Sequence, residues 1–320
     1  MSNKNILIIG ASGQLGSVLT ERLQEKHGAD HVIASDLRVN PNFHGRFVGL
    51  DATDFESLKK IIQEYEIDEI YHLAAILSAS GEKFPLETWD INMKTFFNVL
   101  EASRLNNVQK VFFPSSIAVF GQGAPKVDTP QSAPLFPSTV YGISKAAGEN
   151  WANYYHQKYG MDIRSLRYPG IIGYQSLPGG GTTDYAVDIF HKAVKEAPYK
   201  CFLKASTTLP MIYMDDAIRA TMELMDADAE KINIRTSYNL SGMSFSPEQV
   251  ARAIQKKYPQ FEVNYEPDFR QIIAENWPMS IDDSAAKRDW NWKAEYNLES
   301  MTETMITHLK TKYETELVHN

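Results

Sequence analysis

The 320-residue chain predicts an α/β protein: a doubly wound parallel sheet with a smaller, interwoven C-terminal region. Three observations lead there. Residues 6–16, ILIIGASGQLG, run from four apolar residues through a glycine-rich turn into an apolar helix. Short β-rich runs then alternate with helical patterns through the first half of the chain. An acidic residue, Asp36, closes the second of those runs, HVIASD, twenty residues after Gly16. Strands separated by helices of this length read as βαβ units, and hence as a parallel sheet covered on both faces.

Taken in order, Ile6 to Ile9 make a fully buried strand. The turn through Gly10, Ala11, Ser12, Gly13, Gln14, Leu15 and Gly16 opens the helix Leu15–Leu23. Such a strand, turn and helix start present unpaired N–H groups and the positive end of a helix dipole to an anion. The spacing is GxxGxxG rather than GxGxxG, and glycines at a tight turn can serve packing alone. Their place after the first strand, with Asp36 ending the second, points to a Rossmann-type dinucleotide site. An acid there receives the ribose hydroxyls and repels a 2′-phosphate, so the expected cofactor is NAD rather than NADP; Arg38, two residues on, is the feature that would welcome that phosphate. The other strands are expected at Arg46–Val48, Glu69–Leu73, Lys110–Pro114 and Asp162–Tyr168, with helices over Phe55–Tyr65, Ile91–Leu105 and Tyr141–Tyr159.

The pattern weakens after Pro169. Gln175–Thr183 reads as loop, Tyr185–Ala197 as helix, Tyr238–Leu240 as a late strand and Pro247–Tyr258 as a helix capped by Ser246. A short strand over Phe261–Tyr265 and a final helix over Leu298–Tyr313 follow. The expected organisation is a cofactor domain over residues 1–170, to which residues 236–242 return, and a mainly substrate-binding region over 171–320.

Composition excludes several function classes. The chain is 43% hydrophobic and 22% charged, with net charge −8. An acidic balance without a basic run argues against nucleic acid, whose backbone needs clustered Lys and Arg. No apolar stretch reaches the length of a membrane span. MSNKN leads straight into the first strand, leaving no room for a signal or transit peptide. The single cysteine, Cys201, excludes an internal disulfide, and the scattered histidines have no ligand spacing. The expectation is a cytoplasmic protein without a metal.

The chemistry concentrates in Ser116, Tyr141 and Lys145. The strand VFFPSS brings Ser116 to its C-terminal end, where ligands collect in open α/β sheets. Tyr141 and Lys145 are four apart at a helix start and share a face. YxxxK alone says little, because Tyr154 and Lys158 repeat it. That second pair lies about 20 Å further along the helix, has no partner serine, and reads as surface. A phenol with a pKa near 10 beside the Lys145 ammonium and a positive nicotinamide would favour the phenolate. The phenolate can take a proton from a substrate hydroxyl while hydride leaves the same carbon. Ser116 would hydrogen-bond that oxygen.

Other positions read less sharply. Asp51, before Ala52, can accept the adenine amino group or simply make a turn. His72 reads as structural, whereas the small residues after it in HLAA (Leu73, Ala74, Ala75) let a dinucleotide approach closely. Asn92, opening the helix at WDINMKTFFNVLEA, is either a helix-start residue or the holder of a water near the site.

GASGQLG, Asp36, Asp51-Ala52, HLAA, PSSIAVFG and VYGISK, in this order, resemble the extended short-chain dehydrogenase/reductase family, epimerase/dehydratase branch, over residues 5 to 170. The resemblance implies Ser116, Tyr141 and Lys145 as the catalytic set. It implies Gly10, Gly13, Gly16, Asp36, Asp51, Ala52 and Leu73 around NAD, joined by Gln14, Leu15, Ala74, Ala75, Asn92, Tyr141, Lys145 and Tyr168. Sugar-nucleotide members carry an Asn after the strand that here ends RYPG. RYPGIIGYQSLPGGGTTDYAV, LPMIYMDDAIRAT and NWPMSIDDSAAKRDWNW instead resemble the short-chain L-threonine 3-dehydrogenase group of that family.

Such a substrate brings a carboxylate, an ammonium and a secondary alcohol. Gly180, Gly181, Thr182 and Thr183 can donate to the carboxylate, Asp184 or the loop Ser78 to Ser80 can face the ammonium, and Trp277 can cap the pocket. The bland alternatives are a mobile surface loop and a core tryptophan. The expected activity is NAD-dependent oxidation of L-threonine to 2-amino-3-oxobutyrate. The rivals are an NAD-dependent sugar-nucleotide epimerase/dehydratase and a non-catalytic dinucleotide sensor; sensors of that kind lose the tyrosine or the lysine, and both are present. Surplus apolar residues on two helices (Phe96, Phe97, Val99, Leu100; Trp151, Tyr154, Tyr155) predict a homodimer.

Overall fold

A computed structural model describes residues 4–38, 43–175, 177–179 and 181–318. In chain order the elements are β1 (Ile6–Ile9), α1 (Gln14–His27), β2 (Val32–Asp36), β3 (Arg46–Gly49), α2 (Phe55–Glu64), β4 (Glu69–His72), α3 (Ser78–Gly81), α4 (Pro85–Leu105) and β5 (Lys110–Ser116). Then come α5 (Val140–Tyr159), β6 (Asp162–Tyr168), β7 (Gly170–Ile172), α6 (Tyr185–Val194), β8 (Tyr199–Cys201), β9 (Leu209–Tyr213), α7 (Met214–Asp226) and β10 (Tyr238–Asn239). The last are β11 (Met243–Phe245), α8 (Pro247–Gln255), β12 (Val263–Tyr265), α9 (Arg270–Asn276), α10 (Ser284–Trp290) and α11 (Leu298–Val318).

Seven strands form one parallel sheet in the order β10-β6-β5-β4-β1-β2-β3. The order reverses direction beside β1, which is where ligands bind in doubly wound sheets. Alternate side chains of β1 explain why its apolar run is unbroken. Ile6 and Ile8 pack with Leu19 and Leu23 of α1, Ile218 of α7 and Trp290 of α10. Leu7 and Ile9 pack on the other face with Leu58 of α2, Phe96 and Leu100 of α4 and Ala152 of α5. A third core joins α6, α8 and α11 to β8 and β9 through Phe190, Ile254, Met305 and Met211. Among the described residues, no helix is long and apolar enough to cross a membrane.

Two expectations need correction, and a third feature was not anticipated. First, α4 starts at Pro85, six residues before Ile91, with its proline in the first turn, where the missing N–H is no loss. Asn92 therefore sits inside a helix rather than at its start. Second, β5 continues through Pro114 to Ser116. Pairing with β4 ends at Phe112, so Pro114 lies beside β6 alone and a missing N–H is tolerated. Third, β7, β9 and β11 form a small sheet of their own. Strands of three to five residues carry too little alternation to be read from sequence. Ser246 caps α8 as expected, in a reciprocal capping box with Gln249.

Candidate active site

The carboxyl edge of the sheet opens on a cleft of about 270 Å³, whose walls include Gly10, Gly13, Ser116, Tyr141, Lys145 and Thr182. Its floor is the turn after β1. Gly10 has φ +91°, and a Cβ there would lie 2.7 Å from the Ala74 nitrogen, so only glycine lets β1 and the segment after β4 close up. Among the described residues no side chain caps α1, and its first turn holds no acid. The N–H groups of Gln14, Leu15 and Gly16, which line the cleft, therefore lack intrahelical partners and suit a phosphate. Asp36 stands at the end of β2, where its Oδ2 accepts from the Ser12 N–H at 3.1 Å, leaving the second oxygen for a ribose hydroxyl. The cradle fits a dinucleotide.

The remaining expected cofactor positions divide. Leu73, Ala75 and Tyr168 line the cleft; the Tyr168 hydroxyl itself bonds Thr221. Asp51 and Ala52 follow β3 along the same sheet edge. Asp51 Oδ1 accepts from both the N–H and the hydroxyl of Thr53 at 2.8 Å, a turn contact. Asn92 faces inward: its Oδ1 accepts from Ile76 N at 2.8 Å and its Nδ2 donates to Ile76 O at 3.1 Å. It clamps the chain beside the cleft from within α4, not from a helix start. His72 is buried against Phe96, 3.4 Å from the Thr95 hydroxyl. Burial, helped by the Lys145 charge, pushes it down to about 3, a neutral structural imidazole.

Ser116, Tyr141 and Lys145 come together in the cleft. Thr139 caps α5 by accepting from Gly142 N at 3.1 Å, and Glu82 Oε1 accepts from Val140 N at 2.8 Å. A Cβ on Gly142 would lie 2.1 Å from Ala118 O, so this glycine lets the helix start press against the turn after Ser116. The Ser116 Oγ, which accepts from Ala118 N at 3.2 Å, lines the cleft beside the Tyr141 phenol. Lys145 Nζ lies 4.6 Å from the Phe113 ring centroid and 5.5 Å from that of Tyr141. Burial pushes Lys145 down to about 7 and Tyr141 up to about 12, the Ser116 hydroxyl opposing the latter. The expected lowering of the phenol calls on the nicotinamide charge as well as on Lys145; in the chain alone desolvation, which disfavours the charged form of each group, sets the direction of both shifts. Lys158 Nζ donates to the Tyr154 hydroxyl at 2.7 Å on the exposed side of α5.

The opposite wall carries Ser78, Gly181, Thr182, Thr183, Asp184 and Trp277. Thr182 is 1% exposed, and among the described residues its hydroxyl has no hydrogen-bond partner; the same holds for the Trp277 indole N–H. Asp184 Oδ2 accepts from Gly181 N at 2.7 Å, shaping the turn before α6. Ser80 is exposed and outside the cleft wall, since in the single turn of α3 it faces away from Ser78. Gly180 lies outside the described residues.

Sequence reading missed the polar core beneath the site. Glu149, on α5, takes a bidentate pair from Arg167 (2.9 and 2.8 Å) and a 2.6 Å bond from the Ser115 hydroxyl. Its four-residue spacing from Lys145 was the available signal. Phe96, Val99 and Leu100, counted toward a surplus apolar face, are fully buried under the sheet. The exposed part is Trp151 and Tyr154, with Phe97 edge-on to Trp151 at 5.0 Å.

Residues 6–240 match the model of the NAD dependent epimerase/dehydratase family. Among solved structures, the chain is similar to a partial consensus L-threonine 3-dehydrogenase, at 53% identity and TM-score 0.95 over 96% of this chain and 99% of that one. It is similar to the GalE-like L-threonine dehydrogenase from Cupriavidus necator in its holo form (52%, TM-score 0.94, 96% and 100%). It is also similar to a monomeric L-threonine 3-dehydrogenase from a metagenome (48%, TM-score 0.93, 96% and 99%). One family model spans the sheet, the glycine turn and the Ser116–Tyr141–Lys145 cleft, and the chain belongs to the NAD dependent epimerase/dehydratase family.

Proposed function

We propose that this protein oxidises the 3-hydroxyl of L-threonine to give 2-amino-3-oxobutyrate. The observation that carries the reading is the make-up of the cleft: a phenol–serine–lysine set faces a wall whose buried Thr182 hydroxyl and Trp277 N–H have no partner among the described residues. Unpaired buried donors are costly unless a ligand completes them, and a small amino acid has the acceptors. The likeness to three threonine dehydrogenases over nearly the whole chain supports it.

When bound, NAD supplies the acceptor for the hydride that leaves C3. The chain's own residues handle the proton and the oxygen. Ser116 donates a hydrogen bond to the substrate oxygen and orients it toward Tyr141. The Tyr141 phenolate takes the hydroxyl proton as the C–O bond becomes a carbonyl. Lys145 sits close enough to favour that phenolate whenever it is protonated, and burial lowers its own value. The Thr182 hydroxyl holds the carboxylate end, and Trp277 closes the pocket. Residues 171–320 thus contribute mainly substrate contacts, while residues 1–170 hold the cofactor.

Trp151 and Tyr154, 39% and 42% exposed on α5 beside α4, support a homodimer through these helices. A buried lone thiol, Cys201, suits a reducing cytoplasm. The deciding experiment mixes purified protein with NAD and L-threonine: a threonine-dependent rise in NADH absorbance is expected. No rise, with interconversion of a nucleotide sugar instead, refutes the reading.

A further inference from the structure

Arg167 reaches beyond Glu149. Its Nη1 donates to Gln131 O at 3.0 Å and to Asn239 Oδ1 at 3.1 Å. Asn239, fully buried at the end of β10, donates through Nδ2 to Thr129 O at 3.0 Å and Asp282 O at 3.1 Å. Those two carbonyls belong to a strap. Thr129 bridges Ile281, Asp282 N donates back to Thr129 O at 3.1 Å, Met279 N donates to Lys126 O at 2.7 Å, and Lys126 Nζ donates to Trp277 O at 3.0 Å. These hydrogen bonds, joined through the short backbone segments 126–129 and 277–282, therefore tie the catalytic helix, one turn past Lys145, to the backbone of Trp277 across the cleft.

Resting on the threonine-oxidising reading above, we propose that the Glu149–Arg167–Asn239 chain is a positioning device that sets the Trp277 wall against the Tyr141–Lys145 helix. Asn239 is the joint. Its carbonyl faces the ion pair and its amide holds the strap, so the two functions can be cut separately. A buried network with every member satisfied has one low-energy arrangement, which is what fixing two walls at a set separation requires. None of the three residues touches the reacting atoms.

Asn239→Asp removes both donors to the strap and keeps an acceptor for Arg167. The expected result is a fall in efficiency with threonine of roughly tenfold or more, short of the ~10²-fold that a 1 Å misplacement can cost. That loss should appear in KM, with kcat and the NAD dissociation constant little changed. Amide hydrogen exchange at Met279 and Asp282 should accelerate while that of α5 stays as in the wild type. If the Asp variant does not fold, Asn239→Ser, which keeps one donor, should show a smaller effect of the same kind. An unchanged KM accompanied by a lower melting temperature overturns the proposal, since a merely structural tie behaves so. Should wild-type protein fail to reduce NAD with threonine, the functional reading fails by itself. The exchange experiment then still decides the tie, and unchanged exchange at Met279 and Asp282 refutes it.

Discussion

Thr182→Val separates folding from function at one atom. The side chain is 1% exposed and its hydroxyl has no partner among the described residues. A hydroxyl buried without a hydrogen bond costs about 1–3 kcal/mol, and valine has nearly the same shape without it. In the substrate-free protein the substitution should therefore stabilise, raising Tm by up to about 2 °C per kcal/mol, the low end of the range for chains of about 150–250 residues. In the complex the sign reverses. Losing one hydrogen bond to a charged carboxylate costs roughly 1.5–3 kcal/mol, or about ten- to a hundredfold in kcat/KM for threonine at tenfold per 1.4 kcal/mol. Thermal melts, steady-state rates and NAD titration measure the three quantities. Thr182→Ala should show the same functional loss, without the gain in stability because it also removes a buried methyl. If Thr182→Val leaves kcat/KM unchanged, the hydroxyl does not meet the substrate. If it weakens NAD binding instead, the segment Gly179–Asp184 belongs to the cofactor site and the substrate is misplaced.

Tyr141→Phe should lower turnover by about 10²–10⁴-fold, the contribution of a general base, with NAD binding retained; Tyr154→Phe should do little, and a Tyr141 variant keeping more than about a tenth of turnover contradicts the assignment. Initial rates should favour NAD strongly over NADP because Asp36 would meet the extra phosphate, and equal efficiencies would mean that Arg38 overrides the acid. Light scattering at micromolar concentration should give twice the 36.2 kDa chain mass, and the single-chain mass would sink the dimer. Stability should fall on acidification. Burial holds His72 down at about 3 and His191 at about 4, so below the ordinary value of about 6.5 the unfolded chain binds protons that the folded one refuses. Each histidine then removes about 1.4 kcal/mol per pH unit, until its folded value is reached. Denaturant midpoints that stay flat between about pH 6.5 and 4.5 would contradict this linkage.

Much of the cofactor half was legible because its signals are local. Ile6–Ile9 is apolar at every position since both sheet faces are covered, and the glycine turn and Asp36 follow at fixed spacings along one βαβ unit. Tyr141 and Lys145 share a helix face by the 3.6-residue period alone. The start of α4 was also written in the chain, as Pro85, but a break in apolar periodicity before Ile91 hid it. What only the tertiary structure decided involves distant partners and burial. β7 and β9 pair about forty residues apart in sequence, and neither carries enough alternation to announce itself. Glu149 meets Arg167, and Arg167 meets Asn239, across three separate elements. The spacing of Tyr141 and Lys145 predicted an ammonium lowering a phenol; packing put both in a desolvated site, where burial raises one value and lowers the other. Periodicity reports the face a residue occupies, whereas desolvation and long-range hydrogen bonding depend on everything that packs against that face.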